Sequence, residues 1–292
     1  MTLLLTLVIA GLSVGGLYAL FALGLVLIYR TQGIVNFAHG ELLMVGAFIG
    51  YTAFELLKLP YVVSFILAIV LGGFLGALIE RVAFRRIAEQ SHTTLAMVAV
   101  GMSVLLKGAV RVPFGSDVYT FPPAFGTAGA IKIGPALIAP QNVLATGVAI
   151  LLTVALFIFF RVTTMGKQMR ATQQNVTGAR LVGINTDRVF SVTWMLAAAL
   201  GAAAGVLAGP ITFLFPDMGT TFLLKGFAAA VLGGFDSVLG AVVGGFLVGV
   251  IEMLFGGYVS TAFQEVSPFV IIIIVLFIKP YGLFGRAPVR RV

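Results

Sequence analysis

The feature that most constrains this chain is the recurrence of long segments without a charged residue. Such runs cover residues 2–29, 59–79, 90–106, 133–160 and 189–216. Each is close to, or longer than, the roughly 20 apolar residues that cross a hydrocarbon core as a helix. Hydrophobic residues make up 60% of the chain and charged residues 10%, whereas soluble domains carry about 25% charged residues. The pattern therefore predicts an integral membrane protein.

These runs are rich in Gly, Leu, Ala and Val and lack the ten-residue alternation of an outer-membrane barrel. A helix satisfies all its own backbone groups in lipid. The sequence thus predicts an all-α fold, a polytopic transmembrane helix bundle of about nine spans that forms one domain over residues 1–292, without a convincing internal repeat. The predicted spans are residues 4–29, 35–57, 60–79, 93–112, 141–160, 189–210, 220–235, 238–257 and 266–279.

The distribution of Lys and Arg orients the bundle, because these residues concentrate in cytoplasmic loops. With the amino terminus outside, the inside segments hold Arg30, three arginines in 81–86, five basic residues in 161–188 and four from Lys279 onward. That is 13 of the 18 basic residues, with four outside and Lys225 within a span. This orientation places the carboxy terminus in the cytoplasm and explains the net charge of +8 without a nucleic-acid partner.

Two segments interrupt the regular pattern. The span at 220–235 is short and contains Lys225, so it is either a crossing helix or a re-entrant, broken one; the charge distribution favours crossing. The outside loop at 113–140 contains Pro122-Pro123 and several glycines. Its composition predicts an ordered, turn-rich excursion.

Seven Gly-x-x-x-Gly pairs place small residues on single helix faces. They indicate close packing within the bundle, or in one or two cases a subunit interface or moving seam. The pairs are Gly11/Gly15, Gly46/Gly50, Gly72/Gly76, Gly201/Gly205, Gly205/Gly209, Gly240/Gly244 and Gly245/Gly249.

Enzymatic and metal chemistry lack the necessary residues. The chain has no cysteine and two histidines, His39 and His92, which is too few for a usual zinc site. The Gly11-Leu12-Ser13-Val14-Gly15 match to a nucleophile elbow lies within a predicted helix, not in the required strand-turn-helix. No cofactor, metal site or catalytic residue is predicted.

A polar break at 32–41 separates the first two apolar helices. Asn36 and His39 are three residues apart and would share a face on a helix, whereas Glu41 would point elsewhere. Ionisable groups at membrane depth are costly and mark pathways or partners. The break is either a lining of a substrate pathway or an interfacial turn whose polar groups cap the next helix. Glu252, within the eighth predicted span, is either a further pathway residue or a carboxylate satisfied by a polar neighbour.

The connection at 161–188 is the longest basic loop. Its part from Arg170 to Leu181 is mostly compatible with a short amphipathic helix, which Gly183-Ile184-Asn185 would end. The apolar face of this helix would consist of Ala171, Val176, Ala179 and Val182. It would lie either on the lipid surface or in the groove of a cytosolic protein.

Four sequence segments are similar to the permease family of branched-chain amino-acid ABC importers, specifically the LivH type. They are Gly15-Gly16-Leu17-Tyr18-Ala19-Leu20 through Gly24-Leu25, Gly33-Ile34-Val35-Asn36-Phe37-Ala38-His39-Gly40-Glu41, Ala179-Arg180-Leu181-Val182-Gly183-Ile184-Asn185, and Lys225 to Gly234 with Gly240-Ala241. The run from Asn36 to Glu41 is the most specific of these.

The resemblance implies a permease subunit in a bacterial or archaeal cytoplasmic (inner) membrane. Its implied partners are a second homologous permease, two cytosolic ATPase subunits and an external solute-binding protein. The loop at 161–188 would be the cytoplasmic coupling loop that contacts the ATPase, with candidate residues Arg170, Gly178, Ala179, Arg180 and Gly183. The chain has no Gly-x-x-x-x-Gly-Lys-[Ser/Thr] phosphate loop, so ATP would be hydrolysed by the partners.

Under this interpretation the substrate is a branched-chain or related hydrophobic amino acid, and Asn36, His39, Glu41 and Glu252 are candidates to line its path. Relatives of similar pattern are associated with urea or short amides, and the residues do not separate these substrates. A stand-alone secondary transporter or channel is the alternative from a different class. It would require its own ion-coupling or selectivity residues.

Overall fold

The computed structural model describes residues 2–88, 90–126, 129–133 and 136–285. The basic tail residues Arg286, Arg290 and Arg291, which contributed to the predicted orientation, lie outside the described residues. In the described part the helices are α1 (Thr2–Gln32), α2 (His39–Tyr51), α3 (Tyr61–Ile79), α4 (His92–Phe114), α5 (Pro140–Val162), α6 (Thr164–Gln174), α7 (Val176–Leu181), α8 (Thr186–Thr212), α9 (Met218–Gly233), α10 (Val238–Tyr258) and α11 (Thr261–Ile278).

Short irregular elements complete the chain. Wider π turns continue α2 over Thr52–Leu56 and α3 over Glu80–Phe84, and a 3₁₀ turn follows at Arg85–Ile87. The connection between α4 and α5 carries two antiparallel strands, β1 (Ile131–Ile133) and β2 (Ala136–Ile138). The predicted all-α bundle is thus confirmed apart from this small hairpin, which the turn-rich composition did not reveal.

Within the described residues, seven helices are long and apolar enough to cross a membrane. A helix is present at each of the nine predicted spans, but α9 has 16 residues, fewer than a crossing needs. Helix α2 has 13 residues, and the π turn that continues it adds five. The seven long helices are Leu3–Gln32, Tyr61–Ile87, His92–Phe114, Pro140–Val162, Thr186–Thr212, Val238–Tyr258 and Thr261–Ile278.

Helix α1 occupies the centre of the bundle. Every residue from Ser13 to Ile28 is buried, which agrees with a helix that is hydrophobic on all sides. Its glycines Gly11 and Gly15 pack against α10 at Val250 and Phe246, in antiparallel order. The other Gly-x-x-x-Gly pairs likewise face helices or loops of this chain, so the prediction of close packing within the bundle is confirmed for them.

The two short helices begin in the interior and run in opposite directions. Helix α9 runs parallel to α1, since Phe222 contacts Tyr18 and Phe235, just beyond α9, contacts Tyr29. Helix α2 instead runs parallel to α8, because Gly46 packs on Ala202 and Gly50 packs on Val206.

The amino-terminal ends of α2 and α9 meet at Gly40 and Gly219. A methyl group on either glycine would collide with the carbonyl group of the other, so the backbones touch. Protein covers Ile34, Asn36 and Ala38 of the irregular segment that precedes α2, whereas Gly33 and Phe37 are exposed. Irregular backbone at membrane depth requires such a covering.

Helices α1–α3 and α8–α10 therefore form two copies of one arrangement: a long helix, a break, a short helix and a second long helix. Each first helix packs antiparallel on the last helix of the other copy, α1 on α10 and α8 on α3. The copies are inverted, because the equivalent helices α1 and α8 run antiparallel: Gly24 lies against the Ala197 carbonyl, and Trp194, nearer the start of α8, donates to Gln32 at the end of α1. The expectation of no convincing repeat, drawn from residue identities, missed this structural repeat. Inverted repeats with broken helices at their interface are common in transporters.

The connection at 161–188 contains two helices, and the predicted single helix from Arg170 to Leu181 is wrong. Helix α6 ends at Gln174 and α7 starts at Val176, because the Asn175 backbone is extended (φ −160°) and its side chain caps α7. The Asn175 Oδ1 atom accepts a hydrogen bond of 2.9 Å from the Gly178 N–H. The break therefore depends on a side-chain cap in the middle of the amphipathic pattern.

Candidate functional site

The predicted polar break is buried where the two short helices meet. Asn36 is fully buried, and its Oδ1 atom accepts a 3.0 Å hydrogen bond from the Ala38 N–H. Helix α2 begins only at His39, so the prediction that Asn36 and His39 share a helix face is wrong. The side chain of Asn36 instead shapes the turn that leads into α2. No side chain caps α2 at Ala38, so the interpretation that the polar groups of the break cap the next helix is wrong.

His39 is enclosed by the packing of α1 and α8. Its ring lies 4.6 Å from the Phe21 ring, centroid to centroid, and against Gly24. It is completely buried, and neither ring nitrogen has a hydrogen-bond partner of standard geometry. A buried polar group without a hydrogen bond lowers the stability of the fold. The two ring nitrogens of His39 are such groups.

Glu41 belongs to a group of charged residues that the sequence did not connect. Its Oε1 atom lies 3.3 Å from the Lys107 Nζ atom of α4. Lys107 also lies 3.7 Å from Asp217, which precedes α9, and donates a 2.8 Å hydrogen bond to the Thr220 hydroxyl. Asp217 in turn pairs with Arg111 at 2.6 Å. We call Glu41, Lys107, Arg111, Asp217 and Thr220 the junction cluster.

The junction cluster connects the buried interior to the surface of the chain. The Glu41 side chain is 1% exposed and its Oε2 atom has no hydrogen-bond partner, whereas the Asp217 side chain is 52% exposed. Charged groups in a membrane helix face a bundle interior, water or a protein partner. This face of α4 and α9 is therefore unsuited to contact with lipid tails.

One feature of the sequence points to the basic side of the junction cluster. Lys107 and Arg111 are four residues apart near the end of an apolar helix, which places both on one face. The sequence placed them only as outside-facing charges, because nothing in a single helix indicates that α2 and α9 begin beside it.

Glu252 lies in a separate, fully satisfied group. Its Oε1 atom accepts a 2.6 Å hydrogen bond from Lys225 Nζ, and its Oε2 atom accepts a 2.7 Å hydrogen bond from the Tyr18 hydroxyl. The Lys225 ammonium also lies 5.7 Å from the centre of the Tyr18 ring. The geometry matches a carboxylate satisfied by polar neighbours. The structure does not bring Glu252 together with Asn36, His39 and Glu41 in one hydrogen-bonded group.

The residues predicted to couple to an ATPase are spread over α6, α7 and the turn that follows α7. Gly183 has a left-handed backbone (φ 83°), and its N–H and that of Ile184 donate to the carbonyls of Arg180 and Ala179, each at 3.0 Å. This is a Schellman motif, so the predicted stop at Gly183 is confirmed. Gly178 lies in the first turn of α7, and the exposed Arg170 lies in α6.

The apolar residues of α7 divide between the inside and the surface. Ala179 is buried, whereas Leu181 and Val182 are 84% and 76% exposed. The Arg180 Nε atom donates a 2.8 Å hydrogen bond to the Thr186 hydroxyl at the start of α8. The tip of the loop thus presents two apolar side chains and is tied directly to a membrane helix.

A buried carboxylate that the sequence did not single out joins the ends of α3 and α8. Glu80 is fully buried and receives two hydrogen bonds from Arg85, at 3.1 and 2.7 Å, and one from the Ser191 hydroxyl at 2.6 Å. Arg85 also donates to the Asp187 carbonyl at 3.2 Å. The group fixes the end of α3 to the first turns of α8, next to the connection at 161–188.

Within the part of the chain that the structure describes, no group of three His, Cys, Asp or Glu residues could hold a metal ion.

Comparison with known proteins matches nearly the whole length. The profile of the family described as "Branched-chain amino acid transport system / permease component" matches residues 7–278. The high-affinity branched-chain amino acid transport system permease proteins LivH of Salmonella typhimurium and BraD of Pseudomonas aeruginosa are 35% and 33% identical, over 97% of this chain and 96% of each relative. The ribose import permease protein RbsC of Escherichia coli is 27% identical over 89% of this chain and 81% of its own length.

Proposed function

This chain belongs to the branched-chain amino acid transport permease family, and we propose that it is the permease subunit of an ABC importer. The importer would carry branched-chain or related hydrophobic amino acids into the cytoplasm. ATP hydrolysis on partner subunits would drive it. The observation that carries this conclusion is the family match across 97% of the chain to a permease named for this substrate class.

The proposed location is the cytoplasmic (inner) membrane of a bacterium or archaeon, with the amino terminus outside and the carboxy terminus inside. The whole chain would act as one permease domain. The short helices α2 and α9, together with the breaks before them, would complete the nine crossings. The concentration of arginines in the segments predicted to lie inside, among them Arg30, Arg85, Arg170 and Arg188, supports this orientation.

The proposed partners are a second homologous permease, two cytosolic ATPases and an external solute-binding protein. A second permease is favoured by the junction cluster, because its partly exposed charges require a covering other than lipid tails. The absence of a phosphate loop from the sequence favours separate ATPase subunits.

The segment at 161–188 is the proposed coupling element. The exposed pair Leu181 and Val182 would enter a groove of the ATPase, with Arg170, Gly178, Ala179, Arg180 and Gly183 shaping or flanking the contact. Movement of α7 would reach α8 through the bond from Arg180 to Thr186. It would then reach α3 through Arg85 and Glu80.

The proposed substrate pathway runs along the junction cluster. A zwitterionic amino acid carries one carboxylate and one ammonium group, and the cluster offers both cations and carboxylates. Glu41 is the pathway candidate that contacts the cluster directly. Asn36 and His39 would shape the start of α2 beneath it, and Glu252 would act on α9 through Lys225.

A second substrate class is the alternative within the same family. The relative named for ribose import indicates that related permeases serve chemically different solutes, and urea or a short amide is the alternative from the sequence. A neutral amide would need the polar but not the charged partners of the junction cluster.

The test is uptake of labelled leucine, urea and ribose into vesicles that contain the complete complex. We expect leucine uptake that requires ATP hydrolysis and the binding protein. Solute flux through the purified chain alone, independent of nucleotide, would instead support a stand-alone transporter or channel.

A further inference from the structure

A cavity lined by basic residues lies where α5 meets α6. Its volume is about 480 Å³, and the residues around it include Arg30, Arg161, Arg170 and Gln173. A larger adjoining cavity of about 630 Å³ shares Arg30, Arg170 and Gln173. We call the two cavities together the basic recess.

The basic recess presents hydrogen-bond donors. Arg161 and Arg170 form no ion pair within the described residues. The Nε2 atom of Gln173 is buried without a hydrogen-bond partner. Asp236 is the one carboxylate among the described residues that line the adjoining cavity. Two guanidinium groups and an amide donor match the oxygens of a phosphate group.

The same recess has an apolar side on a helix that can span a membrane. Phe157, Ile158 and Phe160 line it from the last turns of α5, a helix long and apolar enough to span a membrane. Ile158 is 56% exposed, so the cavity borders the outward surface of α5. A ligand here would have an anionic group at the arginines and an apolar part along the helix.

We propose that the basic recess binds the headgroup of an anionic phospholipid, with one acyl chain lying along the exposed face of α5. Basic pockets between membrane helices on the cytoplasmic side recognise such headgroups. The apolar residues of α5 beside the arginines favour a lipid over a cytosolic protein at this recess. Binding of this lipid does not depend on which solute the chain transports.

The experiment measures binding of phosphatidylglycerol to the purified full-length chain in phosphatidylcholine nanodiscs by native mass spectrometry. The test variant is Arg161→Gln with Arg170→Gln. Arg188→Gln is the matched control, because Arg188 is an exposed arginine on the same predicted cytoplasmic connection and does not line the recess. Arg161→Lys with Arg170→Lys retains the charge and checks that folding is preserved.

We expect the Gln pair to weaken phosphatidylglycerol binding roughly 25-fold, about five-fold for each arginine, with little change for Arg188→Gln. The Lys pair should retain most of the binding. Equal binding of phosphatidylglycerol and phosphatidylcholine by the unaltered chain would overturn the proposal. Displacement of phosphatidylglycerol by millimolar inorganic phosphate would also overturn it. So would a finding that Arg161→Gln with Arg170→Gln no longer binds the partner ATPase but still prefers phosphatidylglycerol.

Discussion

Gly40 and Gly219 touch through their backbones at the starts of α2 and α9. This contact positions the amino-terminal ends of two oppositely directed short helices beside each other in the interior. Helix amino termini carry partial positive charge, and Glu41 follows Gly40 directly. The contact thereby determines where the carboxylate of Glu41 meets Lys107 of α4.

A bulkier residue at this contact should disrupt the bundle. Gly40→Val would place its side chain on the Gly219 carbonyl, and overpacking of this kind costs about 1–3 kcal/mol. We expect a lower melting temperature in detergent and loss of uptake. Gly108→Val is the control, since a Cβ atom at Gly108 on α4 meets no atom within 4 Å. An unchanged melting temperature for Gly40→Val would contradict the contact.

The group formed by Tyr18, Lys225 and Glu252 should behave as a coupled unit. Glu252→Gln leaves the Lys225 ammonium without its carboxylate. Breaking a buried ion pair lowers the free energy of unfolding by about 3–5 kcal/mol. We expect a smaller loss here because Lys225 is partly exposed. Lys225→Met with Glu252→Gln should recover much of the loss. A thermal-unfolding double-mutant cycle measures the coupling. Additive effects would show that the two side chains act independently.

The left-handed backbone at Gly183 should be essential for the loop tip. The backbone at position 183 has a φ of 83°. Gly183→Val would strain it, because a β-branched residue rarely adopts the left-handed region. Gly183→Asn would not, because asparagine tolerates this region. We expect Gly183→Val to insert normally but to lose most ATP-dependent uptake, with Gly183→Asn retaining most of it. Membrane yield and uptake are measured together. Full uptake by Gly183→Val would argue against the coupling role.

Lys107 allows a test that separates transport from stability. Lys107→Met leaves the buried Glu41 carboxylate without its cation and should lower the melting temperature. Adding Glu41→Gln should restore stability, because neither side chain is then charged. If the junction cluster lines the pathway, uptake by this double variant remains low. Restoration of uptake together with stability would limit the pair to a structural role.

The hydrogen bonds at Glu80 should tie α3 to α8. Arg85→Met removes both bonds from Arg85 to the buried carboxylate and should lower stability by about 3 kcal/mol. Arg86→Met is the control, because Arg86 is the adjacent arginine and makes no ion pair within the described residues. The measurement is thermal unfolding in detergent. Equal effects of the two substitutions would indicate that stability falls because a positive charge is lost, and not because the hydrogen bonds to Glu80 are lost.

The helices were largely predictable, since a helix was present at each of the nine predicted spans. The shortness of α9 was also predictable, because the span predicted at 220–235 is as short as the observed helix of 16 residues. The start of α2 was not, because the largely apolar break at 33–38 was partly included in the span predicted at 35–57. The single helix predicted in the connection at 161–188 was divided by Asn175, a cap that the amphipathic pattern did not reveal.

The candidate site was only partly predictable. Asn36, His39 and Glu41 were recognised as unusual in an apolar setting, but Lys107 and Asp217 were not assigned to any site. Lys107 and Asp217 interact with residues that are distant in sequence. Neither the charge of one residue nor the period of one helix specifies which helix will pack against it.

The sequence by itself determined that the chain enters a membrane as helices, because each apolar segment must satisfy its backbone groups within lipid, and that requirement is local. Only the tertiary structure decided which polar groups meet. The Tyr18 hydroxyl reaches Glu252 across 234 residues, and Gly40 reaches Gly219 only because α2 and α9 both begin in the interior. Such pairings depend on how complete helices pack against one another.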